Sequence, residues 1–388
     1  MRKPLITVQW ENAPVPEGYT EAGNESGEKL EKHLISNPDL IRIFEATKGM
    51  SPKDGLQWID DNLDSFEDST FIVDTDDGNA LLPLKRLEPE LIISKRTLNK
   101  IRHLNTFLGR ANEVLEAGGY FWCFVRTAAL KKQLIMQAYP KGLNYIACLG
   151  HWFWHRFCAK MPLLRDVYFG ITKGRNRSYS RVEVLGRMYR AGFEVIDEQF
   201  RHGRLFVLCR KSKAPVWDVE PACGPLIKLA RVGKGGKIIH VYKFRTMYSY
   251  SEYLQPYVYA HEGLQDGGKF KRDYRVTLWG RFMRRTWLDE LPMILNFLKG
   301  ELKLVGVRPL SRHYFSLYSP EMQELRIKVK PGLLPPFYYE ADSPKTIENV
   351  MDSERRYIEA YLKAPLRTDW RYFWGSVFNI IFRHKKSF

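Results

Sequence analysis

Apolar and polar positions change period several times along the chain, and each change predicts an element. Phe71-Ile72-Val73-Asp74 reads as a short strand. Residues 94–116 carry apolar positions at Ile101, Leu104, Leu108, Val114 and Leu115, a helical spacing that Gly118-Gly119 stops. The aromatic run Tyr120-Phe121-Trp122-Cys123-Phe124-Val125 then predicts a strand. A second helix is expected over 180–191, closed by Gly192, and FEVIDE and RLFVLCRK follow as two strands joined through Arg201-His202-Gly203. Apolar residues flanking Gly233-Lys234-Gly235-Gly236 predict a β-hairpin. A helix starting near Thr277 runs to Thr286, and the chain turns at Trp287-Leu288. Because Pro292 is tolerated only in a first turn, the next helix begins at Leu288 or Asp289. Leu291, Ile294, Leu295 and Leu298 are its expected buried stripe, and Gly300 its end. Residues 354–388 read as helices ending in a Trp/Phe/Ile face beside Arg383, His384, Lys385 and Lys386, a pattern suited to an anionic membrane leaflet or to core packing. The fold class is α/β (α+β): a sheet-and-helix domain, then a mostly helical domain with a hairpin.

Charge divides the chain unevenly. Residues 1–80 hold 7 Lys/Arg and 17 Asp/Glu, whereas 81–388 hold 54 and 27. A large cationic body calls for an anionic partner: nucleic acid, acidic lipid or phosphorylated substrate. No recognition helix, RNA-binding aromatic signature or zinc spacing supports nucleic acid. The length of 388 residues accommodates an acidic region at 1–93, a domain at 94–215 and another at 224–388, with SKAPVWDVEPACG as linker. Five scattered cysteines without a Cys-x-x-Cys pair read as free thiols. The polar stretch ENAPVPEGYTEAGNESGE predicts no secretory signal, and no apolar run reaches the ~18 residues of a spanning helix. The segment 143–171 is aromatic and interrupted by His151, His155, Arg156, Lys160 and Arg165, which suits either a membrane headgroup region or a helical pair packed on the sheet.

The chemistry concentrates between Arg275 and Pro309. Asp289 and Glu290 are adjacent and precede Leu291-Pro292, with Arg281, Arg284 and Arg285 upstream and Lys299, Lys303 and Arg308 downstream. At a helix start the dipole would stabilise an Asp289 carboxylate by roughly 0.3–1 kcal/mol. Such a carboxylate can ligate Mg²⁺ or attack phosphorus. Plain capping is the alternative, since Thr286-x-x-Asp289 fits a loose capping box. Lys243 and Arg245, two apart on a strand, would project from one face, which suits either a phosphate or a solvated edge strand.

Two resemblances extend this reading. The order helix, Gly-Gly, strand, helix, Gly-Phe, strand, strand over 94–211, with EAGGYF and GFEVID, resembles the second half of a class I methyltransferase domain. The glycine-rich loop that would cradle the cofactor is not recognisable, so a truncated structural or regulatory relic is implied. The order KFRTM, then DYRVTLWGRFMRRTWLDELPMILNFLKGELKLVGVRPL, then KPG resembles the bacterial sugar transferases, monotopic polyprenol-phosphate phosphoglycosyl transferases. This resemblance implies that Asp289 attacks the sugar-linked phosphorus of a UDP-sugar, releasing UMP. Undecaprenyl phosphate would then take the phosphosugar, with Glu290 assisting Mg²⁺ and the acceptor. It further implies that Arg284 and Arg308 surround the phosphates, while Lys243, Arg245 and Arg275 match basic motif positions. The implied location is the cytoplasmic face of the bacterial inner membrane, with a homodimer as a possible assembly. A catalytically silent scaffold for glycan assembly is the competing implication. The chain departs from the family at Gly306-Val307-Arg308-Pro309, at Asp273-Tyr274-Arg275 and after Lys330-Pro331-Gly332. It also lacks the usual re-entrant helix, so 143–171 is the expected membrane attachment.

Overall fold

The computed structural model describes residues 69–161, 163–201, 203–217, 223–255, 257–258, 273–340 and 346–382, with seven single positions between Asp39 and Asp61. Most of the acidic 1–93 region and the basic end at 383–386 therefore lie outside the described residues. The chain divides into two compact units, Met1–Cys223 with Tyr248–Tyr257, and Gly224–Met247 with Val258–Phe388.

The first unit is built on a five-stranded sheet in the order β1-β2-β3-β5-β4, comprising β1 (Thr70–Val73), β2 (Leu91–Ser94), β3 (Tyr120–Val125), β4 (Phe193–Arg201) and β5 (Arg204–Lys211). The first three strands are parallel; β5 runs antiparallel to both β3 and β4. All four residues of β2 and all six of β3 are buried, the signature of strands covered on both faces. Phe121 stacks on Phe193 and meets Phe107 edge-on from α1 (Leu104–Val114).

The expected helix over 94–116 is therefore shorter and preceded by the strand Leu91–Ser94. The side chain of Asn99 explains the difference: it donates to the carbonyls of Arg126 (3.0 Å) and Arg177 (2.8 Å) and accepts from the Arg126 amide (2.8 Å). Those bonds hold residues 95–103 against neighbouring loops, and the α-helix starts only at Leu104.

Helices α2 (Ala128–Ala138), α3 (Leu143–Trp152) and α4 (Leu164–Thr172), with a π turn at Phe153–Cys158, form the long excursion between β3 and α5 (Arg181–Arg190). Ser180 and Glu183 close a capping box at the start of α5. Glu183 is 1% exposed. Burial alone would raise its carboxyl, but Lys160, Arg156 and the Ser180 amide hold it down at about 2. Tyr250 joins this unit from a distant part of the sequence, accepting from Asn105 at 2.7 Å beneath the Arg187 guanidinium.

The second unit begins with the predicted hairpin. β6 (Leu226–Val232) and β7 (Ile238–Phe244) pair without a break from Leu226↔Phe244 to Val232↔Ile238. Helix α6 (Leu278–Thr286) leads into a 3₁₀ turn (Leu288–Met293) and the short α7 (Ile294–Leu298). Strand β8 (Lys303–Val305) pairs in parallel with β9 (Gly332–Leu334) after α8 (Arg312–Ser316) and α9 (Pro320–Ile327). Two long helices, α10 (Ile347–Lys363) and α11 (Pro365–Phe382), bring Tyr357, Ile358 and Tyr372 onto Val305, Val307 and Met322 as the unit's core. Among the described residues, no helix is long and apolar enough to cross a membrane.

Candidate active site

The acidic pair does not start one continuous helix. Trp287 adopts a left-handed conformation (φ 63°), its ring 4.7 Å from that of Tyr338, and reverses the chain between α6 and the 3₁₀ turn. Left-handed backbone is costly for a bulky residue and is held by surrounding structure. Asp289 is the second residue of that turn and not the cap of an α-helix. The Thr286 hydroxyl donates back to the carbonyls of Phe282 (2.9 Å) and Met283 (3.3 Å), so the capping box suggested by Thr286-x-x-Asp289 does not form.

The expected buried stripe is inverted. Leu291, Ile294, Leu295 and Leu298 are all exposed, Leu298 to 74%, as are Leu278, Trp279 and Phe282 of α6. The residues turned inward are Pro292, Met293 and the polar Asn296, which is fully buried. Asn296 clamps the turn to β7. Its Oδ1 accepts from the Tyr242 amide at 2.9 Å, and its Nδ2 donates to the His240 carbonyl (2.8 Å) and to Glu301 (2.6 Å). Replacing Asn296 by Ala leaves those β7 groups without partners and is expected to cost about 2–4 kcal/mol, measured by chemical denaturation.

That clamp sets β7 alongside the acids. Lys243, near the end of β7, donates to Glu290 Oε1 at 2.5 Å. Beyond the strand, the Thr246 carbonyl accepts from the Thr277 amide (2.9 Å) and hydroxyl (3.2 Å), pinning the start of α6. The approach is so close that a Cβ on Gly280 would lie 2.0 Å from the Thr246 oxygen. Two turns on, Arg284 Nε donates to the Thr246 hydroxyl at 3.0 Å, which fixes its guanidinium in the field of Asp289.

Asp289 is only 7% exposed, and its Oδ1 is buried without a hydrogen-bond partner. Burial, then the neighbouring Glu290 charge, push its carboxyl above the ordinary range, while Lys243 and Arg284 oppose the rise. The expected stabilisation by a helix start is thus outweighed by burial and a like charge. Arg284 is drawn down by burial, against the pull of Asp289 and Asp273.

The five expected cations divide. Lys243 and Arg284 act directly on Asp289. Arg275 is 4% exposed and grips Asp273 with two bonds of 2.8 Å, standing behind Arg284. Arg245 does not share a strand face with Lys243: it follows the last residue of β7 and donates to the Gly224 carbonyl at 2.9 Å. Arg308 is exposed on the loop after β8 and acts on Arg231 near the far end of β6. Its backbone is held on both sides: Glu354 accepts from its amide (3.3 Å), and Arg326 donates to its carbonyl (2.5 Å). The pairing Ile227↔Lys243 and Arg231↔Ile239 sets Lys243 and Arg231 roughly 14 Å apart along the hairpin at ~3.4 Å per residue.

Four contributors had no role assigned to them from the sequence: Thr246, Asp273, Asn296 and the Arg326–Glu354 pair. Asn296 alone had a local signal, as a polar residue within Met293-Ile294-Leu295-Asn296-Phe297-Leu298.

Residues 217–383 match the bacterial sugar transferase family. The chain is 37% identical over 108 residues to the undecaprenyl-phosphate galactose phosphotransferase of Salmonella typhimurium, covering 26% of this chain and 22% of that protein. It is 42% identical over 106 residues to the uncharacterized sugar transferase EpsL of Bacillus subtilis, covering 27% and 46% respectively. Over 197 residues it is 36% identical to the UDP-glucose:undecaprenyl-phosphate glucose-1-phosphate transferase of Xanthomonas campestris pv. campestris, covering 46% of this chain and 38% of that protein. The chain spans less than half the length of each of these relatives. Residues 217–383, the stretch similar to the bacterial sugar transferase family, hold both carboxylates and the cations around them.

Proposed function

We propose that the second unit transfers a sugar 1-phosphate from a UDP-sugar to undecaprenyl phosphate through a phosphosugar bound to Asp289. The observation that carries this reading is the orphaned, buried carboxylate oxygen of Asp289 held among Lys243, Arg284 and Glu290. In the first step, Asp289 attacks the sugar-linked phosphorus, a P–O bond forms, and the bond to UMP breaks with its electron pair leaving on UMP. In the second, a phosphate oxygen of undecaprenyl phosphate attacks the same phosphorus and restores the carboxylate.

Electrostatics decides whether the anions can meet. At 4 Å each like-charge contact costs about 4 kcal/mol at an effective dielectric near 20, so the donor diphosphate needs compensating charge. Arg284 and Lys243 supply it at the nucleophile; Arg275 is already paired with Asp273, and the exposed Arg308 stands farther along, beside Arg231. Mg²⁺ fits the same place. No group of three or more His, Cys, Asp or Glu occurs among the described residues, but Mg²⁺ commonly takes one or two carboxylates and completes its shell with phosphate and water. Asp289 and Glu290 would hold it, and when bound it neutralises developing phosphate charge.

A lipid acceptor agrees with the surface around the acids. Leu278, Trp279, Phe282, Leu291, Ile294 and Leu298 form exposed apolar positions on the two elements flanking Asp289, and Leu366, Trp370, Trp374 and Phe378 are exposed on α11. Such faces suit attachment to the cytoplasmic leaflet of an inner membrane. For the first unit, the antiparallel β5 between β3 and β4 supports the methyltransferase-like reading.

The test is UMP release from a panel of UDP-sugars with undecaprenyl phosphate and Mg²⁺. Turnover with at least one donor is expected; none with any donor would favour the silent scaffold. The pH dependence carries a sign. Asp289 must be ionised to attack, so its raised carboxyl places the acid limb of kcat/KM above the usual carboxylate value of about 4. Removing the Glu290 charge (Glu290→Gln) should move that limb down, and removing the Lys243 charge (Lys243→Met) should move it up, read from pH–rate profiles.

A further inference from the structure

The long excursion of the first unit has two unlike sides. Its inner side is closed: Cys158 and Tyr168 are buried, His155 and the Arg175 carbonyl engage the Tyr168 hydroxyl at 3.1 and 3.2 Å, and Lys160 and Arg156 are tied to the buried Glu183. The outer side carries ten exposed large apolar side chains between Leu143 and Ile171, among them Ile146 (68%), Leu149 (65%), Trp152 and Phe153. Leu163 is the extreme case, 85% exposed at a left-handed φ of 70° on the tip leading into α4. A strained leucine displayed to water gains nothing from the fold itself. Soluble surfaces rarely leave so many large apolar side chains of one segment uncovered unless something binds them.

The charge says what. Residues 128–175 contain eight Lys/Arg and one acid, Asp166; Arg156 and Lys160 are taken up by Glu183, Arg165 by Asp166 and Arg175 by Asp76, which leaves a surplus of lysines. Lys132, Lys141 and Lys173 are exposed in the same excursion as the apolar positions. A second copy would set these lysines against one another without added acids to pair with them. An anionic lipid surface satisfies both properties, with aliphatic side chains below the headgroups, Trp152 at the boundary and lysines at the phosphates. The geometry points to α3, the π turn and α4 as a membrane-interface contact of the first unit, separate from residues 217–383 and independent of the catalytic reading.

The test uses the full chain carrying an environment-sensitive fluorophore at Ile146→Cys, with Cys148→Ser and Cys223→Ser to remove the other partly exposed thiols. Phosphatidylcholine vesicles with and without phosphatidylglycerol are added. The label should shift to the blue and be quenched by brominated lipid on the anionic vesicles, while a label at Lys85→Cys stays in water. The unlabelled double variant Ile146→Asp, Leu149→Asp changes only exposed positions and should lower the partition coefficient about tenfold or more, with an unchanged circular dichroism spectrum. Three results would overturn the proposal: no vesicle binding, a water-exposed label on vesicle-bound protein, or unchanged partitioning of the double variant. A lipid-independent dimer abolished by that variant would assign the face to self-association instead.

Discussion

Asp289→Asn should abolish turnover while making the protein more stable at neutral pH. Removing a nucleophile from a covalent mechanism commonly lowers kcat by roughly 10⁴-fold or more, and asparagine cannot form the phosphosugar bond. The stability gain follows from the sign of the titration. The folded-state carboxyl is raised above its unfolded value by burial and by Glu290, so ionising it favours the unfolded chain. The cost is absent below the ordinary carboxylate range, develops as pH rises through the folded value, and is full at pH 7. Asparagine does not ionise, so the variant's advantage should appear in thermal melts at pH 7 and shrink towards pH about 4. A destabilised Asp289→Asn at neutral pH would mean that the carboxylate is a structural member of the turn. Functional sites often store such a cost.

The second large effect lies away from the acids. Arg326→Met should destabilise the second unit by about 3–5 kcal/mol, because it strands the fully buried Glu354 without its ion-pair partner. The same change removes the donor to the Arg308 carbonyl, while Glu354 also accepts from the Arg308 amide. The loop carrying Arg308 should therefore loosen, raising KM for the donor more than it lowers kcat. Adding Glu354→Leu should recover much of the stability, since apolar replacements of a buried pair are often near neutral, but it should not restore KM. Chemical denaturation and steady-state kinetics separate the two. A loss below about 1 kcal/mol for Arg326→Met would show that water reaches the pair.

What could be read in the chain and what could not divides along physical lines. The strand at 120–125 and the hairpin at 226–244 announce themselves through local composition and turn glycines. The adjacent Asp289 and Glu290 with Arg284 and Lys243 were legible as a constellation, and the structure brings these four together. Periodicity identified Leu291, Ile294, Leu295 and Leu298 as one face but carried no information on what covers it. A core-facing stripe and a lipid-facing stripe have the same spacing. The left-handed Trp287 has no local signature, because its conformation is imposed by the surrounding contacts. Thr246 and Arg326 were invisible for a related reason: each acts through partners 18 to 38 positions away in sequence. The assignment of Tyr248–Tyr257 to the first unit likewise depends on contacts such as Asn105 with Tyr250, which no short window contains.

The most direct measurement is the mass of the protein after incubation with a UDP-sugar and Mg²⁺ in the absence of any lipid acceptor. The expected result is a gain of one sugar phosphate, mapped by peptide sequencing to Asp289, accompanied by UMP and discharged on adding undecaprenyl phosphate. If UMP appears only when both substrates are present, and no adduct forms on wild type under conditions where turnover is rapid, the transfer is direct and Asp289 is not the nucleophile.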